Sequence, residues 1–315
     1  MLTAKGLSAA ATGWFGRFLR YVMKKKYLYL LCLPGLIYLV IFRYVPIYGI
    51  VIAFKDFSFK KGILGSPWNN FAHFTQLFGS SKFYEVFFNS ISLSLLRLLI
   101  NFPIPILLAL LLNETKSPFF KRTTQTMMYL PHFISWVVVS GIMINFLSMN
   151  DGMINQLIFA VTGAKINFLG SEEWFRFLII VTNIWKEAGW STIIFLAALA
   201  AINPEYYEAA KVDGANRFQM IWHITLTGIR DTIVIMLILQ IGSMMSNGFE
   251  QIFLFQNNLN MSVSEVFETY TYRMGIMQGR FSFSTAVGLF QGAVGAILVF
   301  GSNRIARAMG QASFY

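Results

Sequence analysis

The strongest constraint on this chain is a set of six apolar runs, each about the length of a membrane crossing. A helix needs about 20 mainly apolar residues to span a hydrocarbon core of about 30 Å. The runs lie roughly at 27–54, 86–112, 124–147, 177–200, 229–247 and 282–305. Pro34 and Pro46 inside the first run predict bends there. Only 12% of the 315 residues are charged, against about 25% in an ordinary soluble domain. No polar block is left to form a separate soluble domain. The expected fold class is an all-α membrane protein with six transmembrane helices, because a helix satisfies its own backbone in lipid.

Six crossings place both termini on one side. The segments 1–26, 113–123, 203–230 and 304–315 carry fourteen Lys and Arg residues, and the opposite segments carry eight. Arg43, Arg97 and Lys186 lie within the runs. The positive-inside rule then puts both termini in the cytoplasm. The net charge of +11 is thereby assigned to topology and anionic lipid, not to nucleic acid. Residues 1–26 form a basic segment ahead of a membrane domain at 27–315. Leu7, Ala11, Trp14, Phe15, Phe18, Leu19 and Val22 share one helical face, flanked by Arg17 and Arg20 and followed by Lys24, Lys25 and Lys26. That pattern suits a cytoplasmic amphipathic helix lying on the membrane surface. A basic tail that only fixes topology fits the same residues. No short apolar core followed by a small-residue cleavage site is present, so no cleavable signal peptide is expected.

Cys32 is the one cysteine, which excludes an internal disulfide framework. His73, His132 and His223 fall on different segments and make no metal-ligand set. No Ser/His/Asp or paired-carboxylate arrangement is placed for catalysis. The chain is therefore not expected to be an enzyme.

One segment breaks the apolar pattern: "YYEAAKVDGANRF", residues 206–218. Before it, Asn203 can cap a helix, Pro204 suits its first turn, and Glu205 favours the positive dipole end. Asp213-Gly214 ends that helix, with Gly214 in a left-handed C-cap. A second helix starts near Ala215 and leads into the fifth run. Two short helices around a glycine make a knob on the cytoplasmic face. By periodicity alone it is equally a surface hairpin joining two crossings.

The residues go further. Glu208-Ala209-Ala210, Asp213-Gly214-Ala215, then Ile224 and Leu226, resemble the cytoplasmic EAA loop of ABC importer permeases. Thr227 stands where that family usually has proline. "NSISLSLLRLLINFPIPILLALLLNE" (89–114), "YLPHFISWVVVSGI" (129–142), "IWKEAGWSTIIFLAALAAI" (184–202) and "TYTYRMG" (269–275) also look like permeases of oligo- and polysaccharide importers. The resemblance covers nearly the whole chain and implies the type I, maltose-importer-like permease fold in a bacterial cell membrane. It implies a heterodimer with a second permease subunit, two cytoplasmic ATPase subunits, an extracytoplasmic solute-binding protein and a carbohydrate substrate. It assigns ATPase coupling to the loop at about 203–228, through Glu208, Ala209, Ala210, Asp213 and Gly214. No G-x-x-x-x-G-K-[ST] pattern occurs, so ATP and Mg are expected on the partner ATPase, with no cofactor in this chain.

Ionisable groups at membrane depth are costly and mark candidate function. Arg97, Lys186 and Glu187 each fall near the middle of a run. Neighbours on a helix face apart, so Lys186 and Glu187 are expected to find different partners, with Arg97 opposite Glu187. Asn101, Asn183, Gln240 and Asn247 can line a wet path beside them, and Glu250 and Tyr272 can extend it from the outer segment 248–281. There, aromatic faces beside amides and charges suit a sugar, a membrane-interface belt or a docking surface. For each polar residue, bonding between packed helices is the plain alternative. Two other classes compete with an importer subunit: a secondary carrier acting alone, and a membrane-embedded enzyme of glycan or lipid metabolism.

Overall fold

The computed structural model describes residue 18 and residues 21–313. The amphipathic face expected over residues 7–22 falls almost wholly outside them. Among the described residues the long elements are all helical, and the one β feature is an isolated antiparallel bridge between Lys55 and Trp68. Three helices among the described residues are long and apolar enough to cross a membrane unaided: α1 (Lys26–Phe54), α2 (Ser81–Asn113) and, towards the C-terminal end, α12 (Phe281–Ala308). Three bent pairs raise the number to six. They are α3 (Pro118–Phe133) with α4 (Trp136–Leu147), α6 (Glu172–Ala200) with α7 (Glu205–Val212), and α8 (Arg217–Gly228) with α9 (Arg230–Gly242). A short apolar helix, α5 (Met153–Thr162), joins α4 to α6. Two more, α10 (Phe249–Phe255) and α11 (Phe267–Tyr272), lie between α9 and α12.

The six expected runs are present, but two of them are not single straight helices. The third bends by 96° between α3 and α4. Pro131 lacks the N–H that would continue the ladder, Ile134 is extended, and the Ser135 hydroxyl caps α4 by accepting from the Val138 N–H at 3.4 Å. The fifth run, expected to continue to Asn247, ends as a straight helix at Gly242. Thirteen residues at about 1.5 Å each give about 20 Å, short of a full crossing, and α8 meets α9 at 60°. In the first run, Pro34 sits inside an α-helical stretch, followed by a π turn at Val40–Tyr44 and a 3-10 stretch at Val45–Phe54. Pro46 begins that last stretch, where its missing N–H costs nothing.

The apolar core is unevenly distributed. Phe83, Val86, Phe267, Tyr270, Phe283 and Val287 pack α2, α11 and α12 together. Leu93, Phe175, Ile179, Ile252 and Phe255 join α2, α6 and α10. Ala109, Phe195, Leu199 and Ile229 close the half of the bundle next to residues 203–228. By contrast, α1 buries only Ala53 and meets the bundle through Val45–Phe54 against α12. Its exposed Leu, Ile, Tyr and Phe side chains suit a lipid or helix neighbour, not water.

Candidate functional site: a charged knob and a cavity between the crossings

The knob at 203–228 is built by local hydrogen bonds. The Glu205 N–H donates to Asn203 Oδ1 at 3.0 Å, so Asn203 supplies the expected cap. Glu205 and Glu208 lie in the first turn of α7 and Lys211 in the last, as the helix dipole favours. The helix closes with the Gly214 N–H on the Lys211 carbonyl and the Ala215 N–H on the Ala210 carbonyl. That pair of bonds is a Schellman end, and Gly214 has φ of +79°. The following helix begins at Arg217, two residues later than expected. Asn216 caps it by accepting from the Gln219 N–H, and the Gln219 side chain accepts from the Asn216 N–H in return.

Tyr207 and buried Thr225 tie α7 to α8 at 3.0 Å. A cavity of about 700 Å³ opens between the two helices, lined by Tyr206, Ala209, Ala210, Asp213, His223 and Ile224 among others. Glu208, Ala209, Asp213 and Gly214 are exposed, and Ala210 is half-buried. Around them Val212 is 88% exposed, and Phe218 and Trp222 are also exposed. A firmly capped hairpin thus presents small and apolar side chains outward. Arg217 reaches Glu114, just past the end of α2, at 3.9 Å.

The second site is a cavity of about 320 Å³ where α2, α6 and α9 meet. Arg97, Asn101, Asn183, Glu187 and Gln240 line it, with Ser191, Phe102, Phe195 and Met236. Five of the nine residues expected on a path therefore share one space. Asn101 donates to Asn183 at 2.6 Å across α2 and α6.

The charge pairing differs from expectation. Arg97 and Glu187 line the same cavity without pairing. The Arg97 guanidinium donates to the Asn247 carbonyl and to Gln251 Oε1, the latter at 2.6 Å. Glu187 instead meets His132 Nδ1 at 2.6 Å and Lys186 Nζ at 3.1 Å. The separation of neighbours around a helix holds at Cβ, but a lysine stem is long enough to curl back. Lys186 is buried, donates to the His132 carbonyl at 2.7 Å and stands over the Trp136 ring. His132 stacks on Trp190 with ring centres 4.5 Å apart and planes 3° from parallel. These contacts hold the broken third crossing against α6. At the same contact Gly189 is a spatial necessity, because a Cβ there would stand 2.0 Å from the Met128 carbonyl oxygen.

The other expected path residues lie elsewhere. Asn247 is wholly buried, accepts from Ser94 at 3.0 Å and donates to the Ser90 carbonyl at 3.3 Å. Its backbone N–H donates to Glu268 at 2.6 Å. Lys186 serves the α3–α6 contact, and Glu250 is exposed on α10. Tyr272 packs on Phe249 and Phe253, with ring centres 5.0 and 5.3 Å away.

Part of the segment 248–281 packs inside the bundle. Gln251, 2% exposed, donates to the Ile179 carbonyl and to Thr182, at 2.8 and 2.9 Å. Those residues stand several turns into α6, so α10 enters between the crossings. Sequence reasoning also missed Glu265. It is 1% exposed and bridges Lys82, at 2.9 Å, to Arg273. No spacing in the chain links residues 82, 265 and 273. His132 was legible only as a histidine beside Pro131, without its partner 55 residues away.

Residues 101–312 match the family described as binding-protein-dependent transport system inner membrane component. The chain is 51% identical over 299 residues to the polygalacturonan/rhamnogalacturonan transport system permease protein YteP of Bacillus subtilis (strain 168), covering 95% of this chain and 93% of that one. It is 26% identical to the arabinooligosaccharides transport system permease protein AraP of the same organism, over 90% of this chain and 88% of the relative. Among solved structures, a chain of the bacterial alginate ABC transporter in complex with alginate pentasaccharide-bound periplasmic protein matches with a TM-score of 0.87. It is 39% identical, over 94% of this chain and 99% of that chain.

Proposed function

We propose a function from one premise: the chain belongs to the family of binding-protein-dependent transport system inner membrane components. It is a permease subunit of an ABC importer, not an enzyme, and works with a second permease, ATPase subunits and a solute-binding protein. Our reading adds that its cargo is a carbohydrate, an oligosaccharide or a stretch of a polysaccharide. The observation that carries this is the 51% identity, nearly end to end, with a permease for polygalacturonan and rhamnogalacturonan.

In this reading both termini face the cytoplasm, in keeping with the excess of Lys and Arg on that side. The knob at 203–228 docks on an ATPase subunit that binds ATP and Mg. Ala209 and Ala210 allow close approach, Glu208 anchors the contact, and the Asp213-Gly214 turn sets its shape. Closure of the ATPases pushes this rigid hairpin and re-aims the crossings attached to it. The cavity at Arg97, Asn101, Asn183, Glu187 and Gln240 is this subunit's share of the path.

The test is a reconstituted complex of both permeases, the ATPases and the binding protein in proteoliposomes. Loaded binding protein should stimulate ATP hydrolysis and drive vanadate-sensitive uptake of oligosaccharide. Glu208→Lys and Gly214→Val should assemble in the membrane yet lose the stimulation. Uptake that ignores vanadate but collapses with an ionophore would assign the chain to secondary transport instead.

A further inference from the structure

The two charges lining the central cavity are compensated in different ways. Both carboxylate oxygens of Glu187 already face a cation or a histidine: Oε1 meets Lys186 and Oε2 meets His132. Arg97 has no carboxylate within ion-pair distance among the described residues. Its two terminal nitrogens bond to neutral acceptors, the Asn247 carbonyl and the Gln251 amide oxygen. Its Nε is buried without a hydrogen-bond partner. Glu268 lies within electrostatic reach but beyond ion-pair distance; one of its oxygens accepts from the Asn247 N–H, and the other is buried without a hydrogen-bond partner. A guanidinium so placed is costly in a membrane interior and is geometrically suited to a carboxylate.

We propose that the cavity reads an anionic sugar, with a substrate carboxylate seated against Arg97 while the amides of Asn101, Asn183 and Gln240 meet ring hydroxyls. This rests on the carbohydrate reading above and narrows it to uronic-acid oligosaccharides. Glu187 does not oppose such a ligand, because Lys186 cancels its charge at 3.1 Å and His132 holds its other oxygen. At about 320 Å³ the space falls at the small end of ligand pockets. It therefore admits a short stretch of a chain at a time. Two of the similar proteins fit this chemistry by their names, one handling polygalacturonan and the other alginate.

The test uses the assembled complex of permeases and ATPases in nanodiscs, without binding protein, so that only the membrane cavity selects. Binding of trigalacturonate and of neutral galactotriose is compared by saturation-transfer NMR. We expect trigalacturonate to bind about tenfold better, equivalent to about 1.4 kcal/mol, and to weaken as salt rises. Arg97→Lys should keep the preference and Arg97→Gln should erase it. Equal binding of the two sugars by the unaltered complex would overturn the proposal, even if Arg97→Gln fails to assemble. So would an equal loss of both sugars in Arg97→Gln, which would make Arg97 only the anchor of α10. The two readings fail differently. If loaded binding protein stimulates hydrolysis with no oligosaccharide, charged or neutral, carbohydrate import itself is wrong. If neutral oligosaccharides are imported and charged ones are not, only the present inference falls.

Discussion

The knob and the central cavity are both polar, yet they are held together over different distances in the chain. In the knob, Asn203 caps Glu205, Gly214 closes α7 on Lys211, and Asn216 exchanges bonds with Gln219. Each of those links spans two or three residues, and the longest cap bond, Ala215 to Ala210, spans five. In the cavity and its walls, Asn101 meets Asn183, His132 meets Glu187, and Arg97 meets Gln251, at separations of 82, 55 and 154 residues. The knob is therefore a unit that can be altered while the bundle stands. The cavity is made by the bundle, so damage to its walls is damage to assembly.

The sharpest break of that contrast lies at Gly189. A Cβ there meets backbone, not a movable side chain tip, so Gly189→Val should prevent α3 from seating on α6. Overpacking of this kind costs about 1–3 kcal/mol or more. We expect loss of most assembled complex on size-exclusion chromatography; normal yield would show that the α3–α6 contact is dispensable.

Next in size is the charge cluster. Lys186→Met leaves Glu187 without its buried cation, and breaking a buried pair costs about 3–5 kcal/mol. The side chain of Glu187 is 30% exposed, so solvent screening should reduce the effect to about 1–3 kcal/mol. Lys186→Met with Glu187→Gln should recover part of the melting temperature in detergent. Failure to recover would mean that Lys186 acts mainly through the His132 carbonyl.

The knob variants should behave the other way. Gly214→Val forces a β-branched residue into a left-handed conformation, at a cost of about 1–2 kcal/mol, outside the packed core. Membrane levels and melting should hardly change, while ATPase stimulation falls severalfold. Gly214→Asn, which tolerates positive φ, should keep most of the stimulation. If Gly214→Val lowered assembly as Gly189→Val does, the independence of the knob would be lost.

The smallest effect is expected at Asn216→Ala. It removes one cap, worth about 1 kcal/mol, from a helix that Tyr207 and Thr225 still hold. A small drop in stimulation with unchanged yield is the expected result. Asn216→Asp keeps the accepting oxygen and should show no drop.

These contrasts match what could be read without coordinates. The apolar runs, the glycine turn, the Asn203 cap and the polar character of the groups that line the cavity follow from periodicity and from bonds between residues a few positions apart. Those interactions form in any chain with that local order, so the linear sequence determines them. The 96° break at Ile134 was half visible, since Pro131 and Ser135 mark a helix stop and a helix start, but an apolar run alone reads as continuous. The partners of Arg97, Glu187, Gln251 and Glu265 were not visible. A residue's partner across a bundle depends on which helices touch and how each is rotated, and one turn of offset exchanges it. Arg97 and Glu187 were placed in one space by the sequence and given separate partners by the fold. The long lysine stem let Lys186 reach its own neighbour, and the entry of α10 between the crossings brought Gln251 to Arg97. The sequence thus determined which groups this protein places in its membrane domain, and only the packing of the helices decided which groups meet.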